Sequence, residues 1–319
     1  MSLIELMRGA RIAVEVCMGV KPGETVLIVT DTGKIRIAEA LMAAAHSVGA
    51  EASMLVYTPR RMHGEEPPPP VAEAMKAVQV VLAPTTFSIT HTRARKEATD
   101  RGVRIATMPA ITEEMFTRGP MTADYSKVKE VSERLAERLS QAKEARLTSP
   151  SGTDLSLKLG RKAIADTGIL HGPGAFGNLP AGEAFTAPIE EEGEGTAVID
   201  GSMAGVGKLS NPIRLKVEKG RVVAIEGGEE ARRLEAILRG ADEGAWRLAE
   251  LGIGTNPQAK VSGNVLEDEK AWGTVHLALG NNLFIGGKNN SKVHLDGVIL
   301  RPTLTLDGET VVKDGELKV

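Results

Sequence analysis

The spacing of apolar residues changes near residue 150, and no single kind of sheet accommodates both halves of the chain. Before that point, short apolar runs alternate with stretches of helical spacing. Thr25–Thr30, Ala52–Tyr57, Val78–Ala83 and a run at 103–107 read as buried strands, with helices expected over 3–18, 34–48, 71–77 and 90–101. This alternation predicts an α/β fold with an N-terminal Rossmann-like, doubly wound parallel sheet and right-handed crossovers. The four prolines Pro67–Pro70 place a surface loop between two of its elements, because consecutive prolines cannot continue a helix or a central strand. Beyond residue 150, strand-like runs at 155–159, 195–201, 213–217, 221–226, 273–280, 292–300 and 302–306 alternate with glycine turns, and one helix is expected over 228–250. That is the pattern of a C-terminal β-rich α+β domain. A charged helix over 124–146 joins the halves, which sets the expected domains at 1–148 and 149–319.

Composition narrows the function. A chain of 319 residues with 42% hydrophobic and 25% charged residues is an ordinary two-domain protein by size and balance. A net charge of −3 and only 3% aromatic residues argue against nucleic acid or an anionic membrane as partner. The single cysteine, Cys17, excludes an internal disulfide and a thiolate-rich zinc site. No apolar run approaches membrane-spanning length and no signal-like segment opens the chain, so a cytoplasmic location is expected. The first strand-to-helix turn, Thr30-Asp-Thr-Gly33, lacks the glycine pattern of a dinucleotide site. The Thr85–Ser88 loop and His91 lie where open sheets bind ligands, although a histidine at a helix start is more often a surface residue.

One constellation carries chemistry. His294 and Asp296 stand two apart in an apolar strand-like run, so imidazole and carboxylate share a face. His276, eighteen residues earlier in Gly273–Gly280, can come from a neighbouring strand. Two histidines and a carboxylate on a rigid sheet make most of a metal site. The plainer alternative is a pair of core histidines satisfied by hydrogen bonds.

Five motifs add a resemblance. Gly152–Leu155, Gly177–Pro188, Asp268-Glu-Lys270, His276-Leu-Ala-Leu-Gly280 and Asn290–Asp296 resemble, in order, those of the thermophilic-type metallo-aminopeptidases, the aminopeptidase T/S or leucyl aminopeptidase family. The resemblance implies a hydrolase, a homodimer acting on small peptides, with two divalent ions (Zn, Co or Mn) activating a bridging water. It assigns the metal ligands to Glu183, His276, His294 and Asp296, with Glu250 as the remaining glutamate. Glu269, the runner-up for that place, is the candidate catalytic carboxylate that shuttles a proton to the leaving amine. There is a departure: the family tyrosine seven positions after the first histidine is Leu283 here. Losing that hydroxyl could cost about two to four orders of magnitude in peptidase rate. A relative of the same family, 2,5-dihydroxypyridine dioxygenase, offers the alternative of one Fe(II) and ring cleavage, for which His276, His294 and Asp296 suffice. A protein that retains metal without catalysis is a third possibility.

Overall fold

The computed structural model describes residues 2–318. Its contacts divide the chain into two units, one running up to Ser126 and taking in Gly168–Ala181, the other comprising Lys127–Thr167 and everything from Gly182 onward. The division differs from a single cut near residue 148. The connecting helix, Tyr125–Gln141, lies almost wholly in the second unit, and a later segment returns to the first.

That returning segment completes the parallel sheet expected for the first unit. The strand order is Glu51–Tyr57, Thr25–Asp31, Val80–Thr85, Arg104–Pro109 and Phe176–Asn178, all parallel. The inner strands bury nearly every residue, as parallel strands covered on both faces must. Leu27, Val29, Val81, Ala83 and Ile105 fill one of its cores. Ser2 and Glu5 form a capping box on the first helix, Leu3–Arg11, which continues as a π-helical turn to Cys17. At the end of the first strand, Asp31 accepts bonds from the Gly33 amide at 2.9 Å and the Thr86 hydroxyl at 2.8 Å. The turn is therefore closed by Asp31 with help from Thr86 of the loop after the third strand.

The second unit holds two sheets. The larger runs Arg221–Glu226, Ile213–Glu218, Gly193–Ile199, Asp154–Lys158, Glu144–Thr148, Thr303–Leu306, Glu309–Lys313 and Glu316–Leu317. The smaller runs Gly207–Lys208, Ser202–Met203, His294–Ile299, Val275–Gly280, Leu248–Gly254, Glu183–Thr186 and Ile164–Asp166. Leu155, Leu157, Ala197 and Ile213 from the first sheet share one core with Leu251, Ile253, Val275, Leu277, Leu279 and Ile299 from the second.

Two expected helices are shorter than the sequence suggested. The joining helix stops at Gln141, because Glu144–Thr148 pairs on both sides as a strand with Ala145 and Leu147 buried. The helix expected over 228–250 ends at Ala241. Asp242 then caps a short turn, and Leu248–Gly254 becomes a central strand buried at all seven residues. Paired strands on both sides outweigh the modest helical preference of Ala249 and Glu250. No helix among the described residues is long and apolar enough to cross a membrane.

Candidate metal centre

Strand register brings the charged residues to one face of the smaller sheet. Glu183 pairs with Gly254, Gly252 with His276, Glu250 with Ala278, and Ala278 with Asp296, while Gly280 pairs with His294. Directly paired residues project to the same side, so Glu183, Glu250, His276, His294 and Asp296 all do so. The alternate residues Leu251, Ile253, Leu277 and Leu279 turn to the core behind. One face is apolar and packed; the other carries three carboxylates and two imidazoles.

A glycine makes the convergence possible. A Cβ on Gly252 would lie 2.0 Å from His276 Nε2, so the ring crosses the neighbouring strand where no side chain stands. This aims Nε2 at the carboxylates, 3.2 Å from Glu250 Oε1 and 3.5 Å from Glu183 Oε2. His294 Nε2 lies 3.5 Å from Glu250 Oε2 and 3.4 Å from Asp296 Oδ1. Its Nδ1 sits 2.7 Å from the Asn281 carbonyl, which can only accept. Nδ1 therefore carries the hydrogen, and the neutral ring turns a lone pair on Nε2 towards the site.

The donor atoms form two overlapping groups, Glu183–Glu250–His276 and Glu250–His294–Asp296, each with all its atoms within 4.8 Å of one another. Like charges about 4 Å apart repel by about 4 kcal/mol at the effective dielectric of a protein site. A cluster of buried carboxylates thus needs a cation, and in the metal-free chain protons serve. Burial opposes charge on His276, but its hydrogen bond to Glu250 and the Glu183 charge outweigh that and lift it to about 9. Burial of His294 is outweighed by Asp296, then by Glu250, lifting it to about 10. Burial would raise Asp296, yet the charge and hydrogen bond of His294 hold it at about 2. Glu250 is raised, chiefly by burial.

The residues fit a metal on one further observation. Glu183 Oε2 is buried, has no hydrogen-bond partner, and faces the ring nitrogen of His276. An orphaned carboxylate oxygen beside the His276 ring nitrogen and the Glu250 carboxylate is a donor set that suits a divalent transition metal.

The structure thus gathers all five expected ligands. Glu250 arrives from the middle of a strand rather than a helix end. Glu269, the expected proton shuttle, stands beside this group paired with Lys270, its carboxyl pushed up to about 8 by burial against the pull of Lys270. Leu283 occupies an exposed turn after His276, and the Phe284 ring next to it meets His294 edge-on at 5.0 Å between centroids. Gly252 and Lys270 were not singled out from sequence. Their importance depends on register and burial, and Lys270 appeared only as part of the Asp268-Glu-Lys270 motif.

Comparison with known proteins corrects the expected activity. The family model described as NicX: 2,5-dihydroxypyridine 5,6-dioxygenase matches residues 5–319. The curated 2,5-dihydroxypyridine 5,6-dioxygenase of Pseudomonas putida KT2440 is 27% identical over 263 residues, 76% of this chain and 72% of that protein. Aminopeptidase 2 of Geobacillus stearothermophilus is 30% identical over only 178 residues, 49% of this chain and 41% of its own. The solved P. putida dioxygenase superposes with a TM-score of 0.81 at 22% identity, covering 99% of this chain and 98% of the other. AmpT from Thermus thermophilus does so at 0.70 and 19%, covering 99% of each. The aminopeptidase likeness is present in fold and, more distantly, in sequence. The family match nonetheless overturns the expected metallo-aminopeptidase activity, with its hydrolase and protease character, in favour of the dioxygenase alternative.

Proposed function

Since this chain belongs to the 2,5-dihydroxypyridine 5,6-dioxygenase family, we propose that it is a mononuclear non-haem Fe(II) dioxygenase that opens the ring of a dihydroxypyridine-like substrate. The observation that carries this reading is the extent of the family match, 315 positions from residue 5 to residue 319, which includes every residue of the candidate centre. The donor set supports it: His276, His294 and Asp296 offer two imidazoles and a carboxylate, with Glu250 between the rings. In this reading the same residues hold one Fe(II), replacing the pair of ions that the aminopeptidase resemblance implied.

Bound Fe(II) supplies the redox chemistry that lets O₂ react with an electron-rich ring. The chain supplies position and electrostatics. Packing over Gly252 fixes the His276 ring, and the Asn281 carbonyl fixes the tautomer of His294. Asp296 holds negative charge against His294, and Glu250 hydrogen-bonds with His276, which favours retention of a dication. The half-exposed Phe284 ring beside His294 offers a flat apolar wall to an incoming heteroaromatic ring. Glu269 is placed to hold or release a proton near neutral pH, as its raised carboxyl requires.

Oxygen uptake tests this directly. Anaerobically reconstituted with Fe(II) and given 2,5-dihydroxypyridine, the protein is expected to consume one O₂ per ring lost. Absence of uptake with a full equivalent of iron bound would refute the proposal.

A further inference from the structure

We propose that Lys270 is a built-in cation that takes the place of a second metal ion and so limits the centre to one. This deepens the single-iron reading above and rests on it. Lys270 is completely buried, an uncommon fate for a lysine, and is among the largest fully buried side chains. Its Nζ donates to Glu183 Oε1 at 3.1 Å and to Glu269. Backbone bonds hold the residue from both directions, its amide donating to the Glu267 carbonyl and its carbonyl accepting from the Asn256 amide. Asp268 braces the preceding loop by accepting from the amides of Ser262 and Gly263. The ammonium is therefore delivered to the cluster by a fixed backbone.

Its position is informative because the donors fall into two groups that share Glu250. Two groups with a common carboxylate could hold two ions, with Glu250 bridging. Lys270 hydrogen-bonds into only one of them, through Glu183, and reaches Asp296 in the other by its charge alone. A carboxylate with one oxygen committed to an ammonium is a poorer ligand, and a fixed positive charge beside it repels an arriving dication. With Lys270 in place, Glu183 has its counter-charge already. The open group, Glu250, His294 and Asp296, is then left for a single ion.

Metal stoichiometry, read without any assay of turnover, tests this. The full-length chain is stripped of metal, equilibrated with Mn²⁺ or Zn²⁺, and its bound metal measured; Mn²⁺ samples are also examined by electron paramagnetic resonance. The wild type is expected to bind one ion per chain and give an isolated Mn²⁺ spectrum. Lys270→Met should bind two and show an exchange-coupled pair, while Lys270→Arg, which keeps the charge, should return to one. If Lys270→Met does not fold without metal, Glu269→Gln combined with Lys270→Met removes one uncompensated carboxylate, spares both donor groups, and should again bind two. A stoichiometry of one in the folded Lys270→Met or double variant, or of two in the wild type, would overturn the proposal. A wild type that binds one ion but consumes no oxygen would instead refute the oxygenase reading and leave the role of Lys270 standing.

Discussion

The two ends of the charged face solve the same electrostatic problem differently. At one end Glu183 and Glu269 share the buried ammonium of Lys270. Burial disfavours that charge, but Glu183, then Glu269 and Asp166, outweigh it and hold the amine well above the usual lysine range. At the other end Glu250 and Asp296 pair with His276 and His294, whose charge depends on protons that a metal can displace. The first end carries a cation of its own; the second is built to receive one from outside. A cluster of acids and histidines is therefore not in itself a count of metal ions.

The largest expected effect tests that contrast. Asp296→Asn keeps the shape but removes the charge at the open end, and should weaken metal binding more than about a hundredfold, beyond the 10–100-fold typical of supporting residues. Glu183→Gln, at the end Lys270 already serves, should cost about tenfold or less. Titration of each variant with Fe(II) or Zn²⁺ checks this, and equal losses would erase the distinction between the two ends.

Much of the open end was legible in sequence and little of the closed end was. His294 and Asp296 follow from the two-residue period of a strand, a local signal. Lys270 meets Glu183 across 87 residues of sequence, and nothing local marks that lysine as buried. Glu250 was found through motif resemblance while its secondary structure was misread, because Leu248–Gly254 becomes a strand only through its two neighbours. In the first unit, four parallel strands were readable as apolar runs. The fifth, Phe176–Asn178, has three residues and pairs with a strand some seventy positions earlier. The activity was misassigned because the motifs and fold are common to peptidase and dioxygenase relatives. Leu283 in place of the tyrosine was the local residue that spoke for the other branch.

Gly252 sharpens the comparison from the backbone side. Gly252→Ala would place a methyl group about 2 Å from His276 Nε2 and push the ring out of line with both Glu250 and Glu183. Overpacking of this kind costs about 1–3 kcal/mol. Metal affinity is expected to fall about ten- to a hundredfold while circular dichroism shows the fold retained. Normal affinity would mean that the ring position does not matter.

The pH dependence of the metal-free chain follows from the same protons. His276 and His294 are raised from 6.5 to about 9 and about 10, so the stability they contribute is fully present below pH 6.5 and is lost as pH rises through 9 to 10. Glu269, raised from 4.5 to about 8, acts in the same direction, its contribution fading as pH climbs through 8. The metal-free melting temperature should therefore fall by several degrees between pH 7 and pH 10, about 1–3 kcal/mol after allowance for solvent at partly exposed His294. The metal-loaded protein, with the imidazoles already deprotonated, should change less. Equal slopes in the two forms would show that the imidazole protons do not stand in for the metal.

The smallest expected effect lies at the rim of the open end. Phe284 is half exposed and meets His294 at an interplanar angle of 73°, so it adds an aromatic wall without donating to the metal. Phe284→Ala should leave metal stoichiometry and affinity unchanged, since the Asn281 carbonyl still fixes the His294 tautomer. Aromatic pairs contribute about 0.5–1.5 kcal/mol beyond simple burial, which corresponds to a rise of about two- to tenfold in KM for a heteroaromatic substrate. Steady-state oxygen uptake separates the outcomes. A rise in KM at constant kcat places the ring in substrate binding, whereas a fall in metal affinity would mean that Phe284 supports His294 instead and that the open end needs its rim to hold the ion.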